Sequence, residues 1–290
     1  MSSACTRLYA VLGAPVRHSA SPAMHTALFR RLGHDGVYVA LEVPPARLAE
    51  AVAGLDAAGI AGFNVTLPHK EAVAALLDHL DPLAEQLGSV NLVYRDSRGA
   101  LRGDNVDAIG LLDALRAARV PVRGRRCVVL GAGGAAAAAV AALALGGAQA
   151  IRVLNRTVPR AQALARRLSV AFDVPITAGG LEDAALEAAQ LLINATSVGL
   201  KGESPPIDVA HLPKGATVYD MVYSLEPTPL LRIARGRGLR AVDGLGMLVH
   251  QGARSAERWL GRTLDAADRA SMRRAVRAAL RRRCEASASP

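Results

Sequence analysis

Apolar and polar positions alternate along GFNVTL, residues 62–67, so Asn64 and Thr66 share one face of a strand while Phe63, Val65 and Leu67 share the other. Pro68 cannot donate to a ladder and is expected to end that strand and lead a helix. The stretch that follows, HKEAVAALLDHL, spaces its apolar residues three and four apart, which predicts a helix with Lys70 in its first turn. A cation there opposes the helix dipole, so folding alone gives this lysine no purpose.

The same reading extends along the chain. LYAVLG (8–13) predicts a strand, and SPAMHTALFRRLG (21–33) a helix with Ser21 as N-cap, Pro22 at the first position and Gly33 as its stop. VYVALEV is a second strand, PARLAEAVAGLDAAG a second helix and VNLVYR (90–95) a further strand. Strands that alternate with helices predict an α/β fold with a mainly parallel sheet. A second set opens near residue 123, where RRCVVLGAGGAAAAAVAALALGG reads as strand, glycine turn and helix. Strands in AIRVLNRT, QLLINATSVG, ATVYDM and LRAVDG follow, separated by helices in VPRAQALARRLSV, near 181–189 and in PTPLLRIARGRG. Beyond residue 245 the pattern is helical, and the tail CEASASP is expected to be disordered.

Composition narrows the picture. At 290 residues, 51% hydrophobic and with 27 glycines, the chain fits two globular α/β domains. A net charge of +10 suggests anionic ligands. The arginines are scattered and no nucleic-acid motif appears, so the densest run, RRAVRAALRRR at 273–283, reads as a solvated face. Arginine supplies nearly all of the 35 basic residues, and Lys70, Lys201 and Lys214 are the lysines. A lysine kept in so arginine-rich a chain is either a solvated surface residue or a group needed because it can give up a proton. Cys5, Cys127 and Cys284 show neither metal spacing nor a disulfide framework, which suits a reducing cytoplasm and no metal. The N-terminal residues have no secretory pattern. Residues 127–151 are uncharged and long enough to span a bilayer, but glycines break the run at both ends and no membrane association is expected.

GAGGAA (131–136) follows a strand and opens a helix, the context of a dinucleotide fingerprint. Gly131 would allow the tight turn, Gly133 the close approach of backbone to pyrophosphate and Ala136 the third small-residue position, with Gly134 and Ala135 counted in the same cofactor-binding turn. Where an NAD site places an acid on the ribose, this chain has Asn155, with Arg156, Thr157 and Arg160 beside it. Cations in place of the acid favour a 2′-phosphate, hence NADP.

Taken in order, PVRHSASPAMH, GFNVTLPHK, SVNLVYRDSRGALRGDNVDAIG, GAGGAA, NRTVPRA, INATSVGL, YDMVYSLEPTPLL and GLGMLVHQGA resemble the shikimate dehydrogenases over roughly residues 8–265. The resemblance implies a substrate domain over 1–106 completed by C-terminal helices 246–284, and a Rossmann-type NADP domain over 107–245, with the active site in the cleft between them. It implies that Ser19, Ser21, Asn64, Thr66, Asn91, Tyr223 and Gln251 hold the substrate and that Lys70 and Asp107 form the catalytic pair. Thr196, Met221, Gly244 and Met247 join the cofactor residues. The chemistry agrees: a polyhydroxylated ring asks for short hydroxyl and amide groups, and an alkoxide left by hydride transfer asks for a proton, which Lys70 could deliver with Asp107 orienting its ammonium.

Against the family pattern, Leu92 and Val106 stand where threonine is usual, Thr26 where asparagine is, and Ala137 where arginine is. The first two delete hydroxyls beside substrate or catalytic residues, which leaves quinate or aminoshikimate open as substrates. A non-catalytic metabolite-sensing protein on the same fold is the alternative from another class, and retention of Lys70 and Asp107 argues against it. The expected partners are small molecules rather than nucleic acid, with the chain a monomer or homodimer.

Overall fold

The computed structural model describes residues 3–182 and 186–288. It divides into two compact units, one running to Val106 and resuming at Gln251, the other spanning Asp107–His250. The second division therefore falls inside a helix, a few residues past the boundary expected at 245/246.

The first unit is built on a six-stranded sheet. Its strands and helices are β1 (Arg7–Gly13), α1 (Ser21–Leu32), β2 (Gly36–Glu42), α2 (Leu48–Ala57), β3 (Gly62–Val65), β4 (His79–Leu80), α3 (Pro82–Leu87), β5 (Leu92–Arg95) and β6 (Leu101–Asp104). The strand order is β2-β1-β3-β5-β6-β4. β1 pairs in parallel with β2 and β3, whereas β5 runs antiparallel to both of its neighbours. Two apolar layers cover the sheet. One holds Ala10, Leu12, Val52, Phe63, Val65 and Val93, the other Tyr9, Val11, Phe29, Tyr38, Leu92 and Trp259. Alternation along β1 sends successive residues to opposite layers.

The second unit contains α4 (Asp107–Ala117), β7 (Arg126–Leu130), α5 (Gly134–Leu145), β8 (Ala150–Leu154), α6 (Val158–Ala171), β9 (Ile176–Gly179), β10 (Leu191–Asn194), β11 (Thr217–Asp220), α7 (Pro229–Gly236) and β12 (Arg240–Val242). All six strands are parallel in the order β12-β11-β10-β7-β8-β9. The order reverses between β7 and β10, the switch point at which doubly wound sheets bind ligands. α5 is buried from Ala136 to Leu143; its alanines let it lie close to the sheet.

The chain ends in α8 (Leu245–Leu260) and α9 (Ala266–Ala288). Trp259 and Arg258 fasten α8 to the first sheet, through Trp259 Nε1 donating to the Val93 carbonyl at 3.0 Å and Arg258 bridging Asp81 and Asp104 at 2.9 and 3.1 Å. No helix among the described residues is long and apolar enough to cross a membrane.

Several expectations are corrected. The helix proposed for Lys70 is a turn over 67–71 followed by a 3₁₀ segment, Ala72–Leu76, and then β4. Ser21 is the first residue of α1 rather than its cap, which is Ala20; Pro22 therefore lies one place further in. No helix forms at the described residues 181–182 and 186–189, and 183–185 lie outside the described residues. α9 runs through Glu285 to Ala288, where a disordered tail was expected; residues 289–290 lie outside the described residues.

Candidate active site

In the first unit the polar face of β3 is the centre of a buried network. Asn64 lies between Val11 and Leu92 in the ladder, 7% exposed. Its Oδ1 accepts from the Tyr38 hydroxyl at 2.9 Å, and its Nδ2 donates to the Asn91 carbonyl at 3.0 Å and to Ser255 Oγ at 2.8 Å. Ser255 in turn donates to the carbonyl of Gln251 one turn earlier on α8. Asn91 accepts the Val106 N–H on its Oδ1 at 2.8 Å. Strand, helix and loop are thereby fixed around two amides, so neither amide can rotate without breaking bonds.

The other substrate candidates of this unit join the same region. Thr66 follows β3 with its N–H on the Leu12 carbonyl at 2.8 Å, and Lys70 is held through its carbonyl, which accepts the Val90 N–H at 2.8 Å beside Asn91. Ser19 accepts the Ser21 N–H on Oγ at 3.2 Å, and its own N–H closes a turn onto Val16. Ser21 is buried, and its hydroxyl is a hydrogen-bond partner of Tyr38; burial nonetheless drives the Tyr38 phenol well above its ordinary range. Leu92 and Val106 are 0% and 5% exposed and share one apolar cluster with Tyr9 and Trp259. The two missing hydroxyls are thus replaced together inside the core.

The second unit holds the remaining candidates. Asp107 is buried at the start of α4, and Tyr223 lies half-buried on the loop after β11. Gly131 has φ +108°, and a Cβ there would stand 3.1 Å from both the Ala195 carbonyl and the Thr196 methyl, so only glycine makes this turn without strain. The helix that follows presents Gly133 exposed at its N-cap and Gly134 and Ala135 half-buried, ahead of the buried Ala136 and Ala137. Its first-turn N–H groups have no helical acceptors and form an anion cradle. At the end of β8, Asn155 folds its Nδ2 onto the Thr157 carbonyl at 3.0 Å and leaves Arg156 and Arg160 exposed.

Thr196 is set by a buried relay. Its N–H and hydroxyl donate to Asn194 Oδ1 at 3.1 and 2.7 Å, and Asn194 Nδ2 donates to Asp220 at 2.9 Å. Asp220 also accepts from Thr228 Oγ1 at 2.6 Å; burial outweighs these bonds and pushes its carboxyl up. Gly244 lies against Met221, whose carbonyl a Cβ would meet at 2.1 Å, and Met247 is buried in the first turn of α8. Glycine cradle, helix N-terminus and exposed cations fit a dinucleotide carrying a 2′-phosphate. Among the described residues no cluster could hold a metal ion.

Tyr38, Ser255, Asn194 and Asp220 escaped the sequence reading. Ser255 carried a signal, since it follows Gln251 by four residues on a helix and so shares its face. Tyr38 and Asp220 carried none.

Fold and site define a two-unit α/β protein that pairs a dinucleotide-binding sheet with a polar-centred substrate domain. Residues 11–93 match the shikimate dehydrogenase substrate binding domain, 114–200 the shikimate / quinate 5-dehydrogenase model and 244–277 the shikimate 5′-dehydrogenase C-terminal domain. The chain is 47% identical to the shikimate dehydrogenase (NADP(+)) of Symbiobacterium thermophilum over 265 residues, 88% of this chain and 90% of that protein. It is similar to the Thermus thermophilus shikimate 5-dehydrogenase crystallised with NADP(H) and shikimate, with 40% identity, TM-score 0.85 and coverage of 95% of this chain and 100% of that one. It is also similar to the quinate dehydrogenase of Corynebacterium glutamicum in complex with NAD, with 30% identity, TM-score 0.86 and coverage of 93% and 98%. The chain belongs to the shikimate dehydrogenase family.

Proposed function

We propose that this protein catalyses the reversible, NADP-dependent reduction of 3-dehydroshikimate to shikimate. The observation that carries the reading is the polar face of the first unit, where Asn64, Asn91, Ser19, Ser21 and Thr66 set short amide and hydroxyl groups on fixed backbone in the same unit as Lys70. Such groups suit a ring bearing several hydroxyls and a carboxylate, with Tyr223 and Gln251 completing the set. Gly131, Gly133, Gly134, Ala135 and Ala136 would hold the pyrophosphate, and Arg156 and Arg160 the 2′-phosphate, with Asn155, Thr157, Thr196, Met221, Gly244 and Met247 lining the remainder. When bound, NADPH supplies the hydride. Lys70 gives a proton from Nζ to the oxygen that the reduction leaves negative, and Asp107 orients that ammonium. Leu92 and Val106 lack the hydroxyls usual in the family, so quinate and aminoshikimate stand as the alternative substrates for the test. Free Cys5, Cys127 and Cys284 accord with a reducing cytoplasm, and a monomer or homodimer belongs to the same proposal.

The test is absorbance of reduced nicotinamide with shikimate, quinate and aminoshikimate, each with NADP and NAD. Turnover is expected to be greatest with shikimate and NADP. Faster turnover of quinate would reassign the substrate, and no turnover of any of the three would favour a sensor.

A further inference from the structure

The basic run near the C-terminus reads as a solvated face, yet one of its arginines is turned inward. On α9, Met272, Val276 and Ala279 are buried at spacings of four and three, and four further on the same face comes Arg283, half-buried. Its guanidinium donates to two successive carbonyls, through Nη1 to His18 and through Nη2 to Ser19 at 2.9 Å. The other end of the helix is fixed on α1, where Arg31 Nε lies 2.8 Å from the buried Asp268 carboxylate. α9 therefore reaches the Ser19–Ser21 loop as an anchored element.

We propose that Arg283 is a positioning residue for substrate binding, whose guanidinium fork sets the two peptide planes before α1 and thereby aims the Ser19 and Ser21 hydroxyls. The proposal rests on the reading that this loop holds the substrate. A planar fork holds two neighbouring carbonyls in a fixed mutual orientation, whereas the freely rotating ammonium of lysine can bond them but does not fix their geometry. The Ser19 N–H remains bonded to Val16 without it, so the loop keeps its turn and loses only its aim.

Arg283→Ala is expected to raise KM for shikimate about tenfold, the loss of roughly one charge-assisted hydrogen bond. kcat, KM for NADP and the melting temperature should stay as in the wild type, and Arg283→Lys should recover only part of the loss. Ser19→Ala should raise KM as well, and adding Arg283→Ala to the Ser19→Ala, Ser21→Ala pair should make that pair little worse, since the arginine acts through these two serines. An unchanged KM in Arg283→Ala beside a raised KM in Ser19→Ala overturns the proposal alone, as do additive effects or a general fall in kcat and melting temperature. If Ser19→Ala and Ser21→Ala both leave KM unchanged, the substrate reading of the loop falls and takes the proposal with it.

Discussion

His25 lies flat against Tyr38, their ring centroids 4.4 Å apart and their planes within 16°. His25 is fully buried, and neither ring nitrogen has a hydrogen-bond partner among the described residues. Burial lowers its pKa to about 3. The unfolded chain therefore takes up a proton below about pH 6.5 that the folded chain refuses until about pH 3. Stability should fall across that window as pH drops, by up to about 1.4 kcal/mol per unit. His25→Phe, whose packing cost is the same at every pH, should flatten this slope in urea titrations between pH 7 and 4. Parallel slopes for the two proteins would mean that His25 is protonated in the fold.

The other side of Tyr38 reaches Asn64. Tyr38→Phe removes the donor and leaves Asn64 Oδ1 buried and short of a partner, at a cost of about 1–3 kcal/mol. It also frees one side of the amide that the substrate is read to meet. Chemical denaturation should register the loss of stability, and KM for shikimate should rise while KM for NADP holds. Kinetics identical to the wild type would reduce the bond to a structural role.

These contacts mark the limit of what was legible in the sequence. The alternation around Asn64 announced a strand, and the strand-to-glycine turn at Gly131 announced the nucleotide-binding sheet, because both are local patterns. Lys70 misled for a non-local reason. Val73 closes one helical turn on His69, but His79 and Leu80 then pair with Arg102 and Gly103, and the competing sheet edge stops the helix. Tyr38 and Ser255 converge on Asn64 from 26 and 191 residues away, and Arg283 reaches Ser19 across 264. No period along the chain records such pairs.

Asp268 gives a second acid-sensitive point. Burial opposes its charge, but the Asp265 N–H and the Arg31 guanidinium outweigh burial and hold the carboxyl below its usual range. A depressed carboxyl stabilises the fold above its unfolded pKa of about 3.9 and loses that contribution as pH falls through the folded value. Asp268→Asn should therefore lower the melting temperature at pH 7 and much less at pH 3. An equal loss at both would mean that packing, not charge, holds α9 to α1.

Arg156 tests the choice of cofactor. It is exposed at the end of β8 between Asn155 and Thr157, where a cofactor with a 2′-phosphate gains from its charge. Arg156→Ala should raise KM for NADP about tenfold, as expected for one exposed charge-assisted contact, and leave KM for NAD nearly unchanged. Equal changes for both cofactors would remove Arg156 from the phosphate site.

Lys70 carries the strongest claim about chemistry. It sits in the single helical turn that Val73 closes on His69, and its carbonyl, not its ammonium, makes the bond to Val90 that fixes the backbone. Lys70→Ala should leave that bond, the fold and NADP affinity in place. Turnover should fall by about 10²–10⁴-fold, the usual worth of general acid–base catalysis. Lys70→Arg separates charge from proton transfer, for it keeps a cation on the reacting oxygen but cannot readily give a proton up. Loss in both variants, with KM for shikimate little changed, supports proton donation. Recovery by arginine would make Lys70 an electrostatic anchor, and near-normal turnover in the alanine variant would take it out of the reaction.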